Sequence, residues 1–229
     1  MTIVRSETLA LFDLDHTLIP FDSGMAWTQF LVRRGVLPAA AEAHYLACCQ
    51  RFVAGAIDIH AMHRECLLPI VRHPRSALAQ WQREFEAEMA SRVPAAMRAL
   101  VERHRDDGDL CAIVTATTQL IAEPFARLFG IDTLLATQAA TTTEGSFTGE
   151  IDGEPCYREH KLSRVVRWLG SRSPGSARAL GAFERSWCYS DSISDLPLLS
   201  AVTHPVAVRP DDRLRAHALR SGWRIVDAL

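Results

Sequence analysis

Several patterns that would narrow the reading quickly are missing from this chain of 229 residues. Its six cysteines (Cys48, Cys49, Cys66, Cys111, Cys156 and Cys188) include no C-x-x-C pair. Sequence neighbours such as Cys48 and Cys49 rarely bridge each other, so six reduced thiols in a cytoplasmic protein are expected. No uncharged apolar run approaches the roughly 18 residues that a membrane span needs. The N-terminal apolar stretch is short and runs straight into Asp13, unlike a signal peptide. Secretion and stable membrane insertion are therefore not expected. An excess of one charge is lacking too: 25 basic against 27 acidic residues leave −2, which gives no electrostatic reason to expect a nucleic acid partner. Internal repeats and low-complexity tracts are also absent. With 48% hydrophobic and 23% charged residues, the composition is that of an ordinary globular protein, long enough for a sizeable core in one or two domains.

The most informative segment that is present is Leu9-Ala10-Leu11-Phe12-Asp13-Leu14-Asp15-His16-Thr17-Leu18. A continuous apolar run of this length reads as a buried, parallel strand. In open α/β sheets ligands bind at the carboxyl ends of such strands, where Asp13 and Asp15 leave this one. Two carboxylates so close repel each other unless a cation or a shared proton relieves them. The pair therefore predicts a metal-assisted catalytic site.

Residues 22–90 read as helical throughout. Asp22-Ser23 supplies an N-cap for a helix carrying Trp27, Phe30 and Leu31 that stops at Gly35. Pro38 opens a second helix through Phe52, which Gly55 closes. Further helices are expected over 58–72 and 76–91. From Val93 the pattern changes to alternating helices and strands: 95–105, then strand 110–114, helix 118–129 and strand 133–137. A small hairpin over 141–151, a helix over 158–169 and a Ser/Gly/Arg-rich loop over 170–178 follow. Strand 186–189, helix 195–201, strand 205–208, a helix from Asp211 and a strand near 223–226 complete the chain. This alternation argues for an α/β fold with a doubly wound parallel sheet. Residues 1–20 and 92–229 then form the core, and 21–91 an inserted all-helical cap.

Four separated features follow the predicted strand ends. They are Asp13-Leu14-Asp15, Thr115 after the run 111–114, Lys161 early in a helix, and Ser190-Asp191-Ser192-Ile193-Ser194-Asp195 after a strand. Together they supply what phosphoryl transfer needs. One carboxylate can attack phosphorus, and a divalent cation offsets its repulsion from the phosphate dianion. Lys161 and the Thr115 hydroxyl can bind equatorial oxygens, where transition-state charge lies. Asp191 and Asp195 can hold an oxygen-loving cation such as Mg²⁺.

This order of motifs resembles the haloacid dehalogenase superfamily, and the helical insertion after the first motif resembles its phosphoserine-phosphatase-like branch. The resemblance spans essentially the whole chain. It implies a Rossmann-like core, Asp13 as nucleophile and Asp15 as general acid/base. It also implies Mg²⁺ held by Asp13, Asp191 and the Asp15 backbone carbonyl, with Asp195 supporting the metal shell by orienting a coordinated water. The chain departs from the pattern at His16, where Gly is common, and at Ser190 and Ser192, where many relatives carry Gly. No catalytic carboxylate is lost, and the serine hydroxyls could join the metal or phosphate shell.

By the same resemblance Asp22 contacts a substrate amino group, which suggests a small phosphomonoester such as phosphoserine or histidinol phosphate. Asp22 serves equally well as a helix cap. For a substrate carboxylate, Arg51, Arg64 and Arg72 are the candidate cations. His60 and His63 are expected on a solvated helix face, and Trp27 and Phe30 in the core of the insertion. A phosphotransferase or mutase, a phospholipid-headgroup phosphatase and a catalytically quiet binding protein remain the alternative readings.

Overall fold

The computed structural model describes residues 8–172 and 180–227. Strand β1 (Thr8–Phe12) is buried along its whole length and lies at the centre of a six-stranded parallel sheet. Four helices follow it without an intervening strand: α1 (Ser23–Arg33), α2 (Ala40–Val53), α3 (Ile59–Val71) and α4 (Arg75–Met89). The chain then alternates. Helix α5 (Ala95–Asp106), β2 (Leu110–Thr118), α6 (Gln119–Phe129) and β3 (Thr133–Thr137) come first. The hairpin β4 (Ala139–Thr141) and β5 (Phe147–Ile151) and helix α7 (Glu159–Arg172) follow. The last units are β6 (Arg185–Ser190), the short α8 (Leu196–Leu199), β7 (His204–Val208), α9 (Asp212–Ser221) and β8 (Arg224–Val226).

The sheet order is β3-β2-β1-β6-β7-β8, every pair parallel. The predicted doubly wound sheet is therefore present. Its connections run outward on one side of β1 to β2 and β3, and on the other side to β6, β7 and β8. That reversal makes the carboxyl end of β1 a topological switch point, where such sheets bind ligands. The alternation of side chains along β1 splits the core into two layers. Ala10 and Phe12 pack with α1, α4, α5 and α6, while Leu9 and Leu11 pack with α7, α8 and α9. Trp27 and Phe30 do lie in the core, stacked on each other and meeting Phe85 of α4, which in turn meets Phe125 of α6 edge-on.

Some elements differ from the reading of the sequence. Strand β2 continues to Thr118 rather than ending near 114, because its last residues are mostly β-branched threonines that suit a pleated strand. Helix α7 extends through 172, so the predicted loop begins later, and residues 173–178 of it lie outside the described residues. The helix expected over 195–201 is a 3₁₀ turn (Ile193–Asp195) running into the single turn of α8.

His63 also departs from expectation. It is buried rather than on a solvated face, its Nδ1 3.1 Å from the Gly149 carbonyl, while His60 is exposed. The hairpin and α3 meet here. Gly149, at φ +90°, lets Leu68 approach to a distance at which any Cβ would be crowded at 3.0 Å.

Candidate active site

At the carboxyl end of β1, Asp13 N–H still belongs to the sheet, donating to the Tyr189 carbonyl at 2.9 Å. Its side chain leaves the sheet. Lys161 Nζ donates to Asp13 Oδ1 at 2.8 Å and Thr17 Oγ1 to Asp13 Oδ2 at 3.3 Å. Lys161 sits in the first turn of α7 and is 3% exposed. A buried ammonium without partners would be prohibitive. Burial alone would push its pKa down, but Asp13 and Asp195 outweigh that and hold it well above the ordinary lysine range. The second carboxylate, Asp195, accepts from Lys161 Nζ at 2.7 Å and from the Ser190 hydroxyl at 2.7 Å, both on Oδ2. The Ser190 hydroxyl, open at the sequence level to a metal or phosphate shell, is thus spent on fixing Asp195.

Asp15 lives differently. No cation pairs with it among the described residues; Oδ1 accepts the Ser23 N–H at 2.7 Å and Oδ2 the Thr117 hydroxyl at 2.5 Å. Burial, and then the negative charge of Asp22, raise its pKa to about 7, against the pull of the two hydrogen bonds. Asp191, just past the end of β6, accepts the Thr17 hydroxyl at 3.1 Å. Burial and then the nearby Asp13 raise its pKa to about 8. Thr17 therefore bridges Asp13 and Asp191 with one hydroxyl. Among the described residues no three His, Cys, Asp or Glu side chains form a ready cluster for an ion.

Thr115 is buried at the switch point, and its Oγ1 accepts the N–H of Thr117 at 3.1 Å. The pairing of β2 with β3 shifts register between Thr115 and Thr118. Such irregularities re-aim side chains, and here the shift accompanies the turn of Thr117 towards Asp15. Thr118 stands at the N-cap position of α6.

His16 sits at φ +58°, the left-handed region that favours glycine. Its loop is clamped from just past the end of β7: Arg209 Nη2 donates to the carbonyls of His16 and Thr17 at 2.9 and 2.8 Å.

Asp22 caps α1, accepting the Met25 N–H on Oδ1 at 2.6 Å, and the same oxygen accepts the Tyr45 hydroxyl at 2.7 Å. It lines a cavity of about 240 Å³ shared with Phe21, Met25, Tyr45, Cys49 and Arg92. Of the candidate cations, Arg51 is paired with Glu65 and Arg64 with Glu150, both at exposed positions, and Arg72 is also exposed. The guanidinium that faces the Asp22 cavity is Arg92, 4.1 Å above the Phe21 ring.

Thr117, Arg209, Tyr45 and Arg92 were not singled out in the sequence. Thr117 had a signal, a second threonine two residues after Thr115. The other three had none, because each is joined to the site only by the fold.

Three comparisons bear on this arrangement. Residues 10–200 match the family model described as haloacid dehalogenase-like hydrolase. A histidinol-phosphatase of Neisseria meningitidis is 37% identical over 223 residues, covering 96% of this chain and 99% of that protein. A Bordetella pertussis protein of unknown function, known from its crystal structure, is 39% identical with a TM-score of 0.90, covering 97% of this chain and 99% of that one. A substrate-bound phosphoserine phosphatase has the same fold at 13% identity, with a TM-score of 0.65 over 98% of this chain and 94% of that one.

Proposed function

The chain belongs to the haloacid dehalogenase-like hydrolases, and within them we propose a Mg²⁺-dependent phosphatase that hydrolyses a small, amine-bearing phosphomonoester through an aspartyl phosphate on Asp13. The observation that carries this reading is the unequal treatment of two carboxylates one residue apart. Asp13 is salt-bridged to a buried lysine, while Asp15 has no cation partner among the described residues and is pushed up to about 7. Environments that separate two carboxylates in this way assign nucleophile and acid.

The donor set suits a hard divalent cation. Asp13, Asp191 and the Asp15 carbonyl offer only oxygen, and Mg²⁺ is commonly held by one or two carboxylates with water completing its shell. Burial, and then the charge of Asp13, raise the Asp191 pKa to about 8, and a cation between the two carboxylates would favour their charged forms. Bound there, the cation would offset the repulsion between the Asp13 carboxylate and the phosphate dianion. Asp195 supports this shell from behind, through its hold on Lys161.

The remaining chemistry falls to the chain itself. An Asp13 carboxylate oxygen attacks phosphorus as the bond to the ester oxygen breaks, and protonated Asp15 gives its proton to that oxygen. Lys161 and Thr115 bind equatorial oxygens as charge develops on them. Asp15, now a carboxylate, takes a proton from the water that attacks the aspartyl phosphate, releasing phosphate and restoring Asp13. The helical segment 21–91 acts as a cap that supplies the leaving-group side, with Asp22 facing a substrate ammonium. The apolar lining beside Asp22, and the similarity to a histidinol-phosphatase, favour an aminoalcohol phosphate such as histidinol phosphate. Two of the three cap arginines first considered for a substrate carboxylate are already paired to glutamates. The protein works in the cytoplasm.

A panel of phosphomonoesters assayed with Mg²⁺, with and without acceptor alcohols, tests this. The expected result is free phosphate, fastest from amine-bearing esters and unaffected by acceptors. Phosphate transferred to the alcohol would make the enzyme a phosphotransferase instead.

A further inference from the structure

Helix α2 is thinly attached: of its fourteen residues only Tyr45 and Cys48 are buried. Tyr45 crosses to α1 at the position of Gly24, where a Cβ would stand 2.2 Å from the tyrosine oxygen and 2.9 Å from its Cζ. Gly24 has no positive φ, and glycine is a poor helix former, so its backbone conformation gives no reason for it. What the missing Cβ permits is the approach of one hydroxyl to one carboxylate. Burial, then the charge of Asp22, keep Tyr45 far above the ordinary tyrosine range, so it remains an O–H donor.

Both hydrogen bonds of the Asp22 side chain fall on Oδ1, from Met25 N–H and Tyr45 O–H. Neither a hydrogen bond nor an ion pair engages Oδ2 among the described residues. The carboxylate is therefore fixed by one oxygen, with the other left for a ligand in the adjoining cavity. Asp22 also immediately precedes Ser23, whose N–H holds Asp15. A leaving oxygen at Asp15 and a positive group at Asp22 are thus a short chain apart.

We propose that Tyr45, admitted by Gly24, is a positioning residue that sets the orientation of Asp22 and so selects phosphomonoesters whose ammonium lies a few bonds from the ester oxygen. This rests on the amine-bearing reading above. Its consequence for the sequence is that Gly24 and Tyr45 form a specificity pair.

The test compares L-histidinol phosphate with its deaminated analogue, 3-(imidazol-4-yl)propyl phosphate, on wild type, Tyr45→Phe, Gly24→Ala and the double variant. In Tyr45→Phe the preference for the amine, as a ratio of kcat/KM values, should fall about fivefold or more, through KM of the amine ester. Gly24→Ala should lower the same ratio by displacing the hydroxyl, and the double variant should do little further harm to it. Should Gly24→Ala fail to fold, Tyr45→Phe alone decides. A wild-type ratio near one would overturn the amine-bearing reading itself, and this proposal with it. A wild-type preference for the amine that Tyr45→Phe leaves intact, or an equal loss on both esters, would overturn the role of Tyr45 alone.

Discussion

The two ends of the site are built to different standards. At the end proposed for phosphate, Asp13, Lys161, Asp195, Ser190, Thr17 and Asp191 form one connected network around a lysine that is 3% exposed. At the end proposed for the leaving group, Asp22 is held through one oxygen by a cap contact and a single side chain from a mostly exposed helix. Removing one partner from a buried ion network strands the others, whereas a half-exposed carboxylate at a helix cap tolerates an isostere. Chemistry and stability are therefore tied together at the first end and separable at the second.

The sharpest way to break this contrast is Lys161→Met. It leaves Asp13 and Asp195 buried without their cation, so a stability loss of about 3–5 kcal/mol is expected. Activity on every phosphomonoester should also fall, by roughly 10³-fold or more, in the range of removing a preorganised transition-state contact. Denaturant unfolding and steady-state kinetics measure both; a stable variant with ordinary activity would dissolve the network account.

Next in size is the pH dependence of stability without divalent cations. Asp15 and Asp191 have folded pKa values of about 7 and about 8, raised above the unfolded value near 4. The folded state therefore binds more protons than the unfolded state between those limits. This contribution to stability is complete below about pH 4 and is lost as pH rises through 7 and 8. In EDTA, thermal unfolding should move to lower temperature over that window. Mg²⁺ should restore more stability at pH 8 than at pH 5. A rise of stability with pH in EDTA would mean that the crowded carboxylates are relieved in some other way.

Asp22→Asn probes the other end with a smaller effect. Asparagine caps helices as well as aspartate, so unfolding should barely change. The ratio of kcat/KM for an amine-bearing ester to that for its deaminated analogue should drop about tenfold or more, the worth of a charge-assisted contact of ~1.5–3 kcal/mol. An equal loss on both esters, or a loss of stability alone, would return Asp22 to its capping role.

How much of this was legible beforehand follows the physics of each element. β1 announced itself, because a strand covered on both faces needs an unbroken apolar run, and Leu9 to Phe12 supply one. The first two helices of the insertion could be bounded from Asp22, Gly35 and Gly55, whose side chain or positive φ values start and stop helices locally. Asp13, Lys161 and Asp195, which stand in three separate motifs of the sequence, meet in the structure. The contacts that could not be read depend on register or on tertiary approach. Thr117 reaches Asp15 where β2 and β3 slip register. Tyr45 reaches Asp22 across a helix, and Arg209 holds the His16 loop from 193 residues away. Local propensity carries no trace of such meetings.

The central claim is that two carboxylates one residue apart have divided the work, and Asp15→Asn tests it most directly. The variant keeps the nucleophile and, through its backbone, the carbonyl proposed for the metal. It lacks the acid and base, a loss worth ~10²–10⁴ in rate. With p-nitrophenyl phosphate the first step hardly needs an acid, while the second still needs a base to activate water. Rapid mixing should therefore give a burst of p-nitrophenol, and acid quench followed by peptide mass spectrometry should find one phosphoryl group on Asp13. A label on a serine or histidine peptide, or on Asp191, would contradict the assignment of Asp13 as nucleophile.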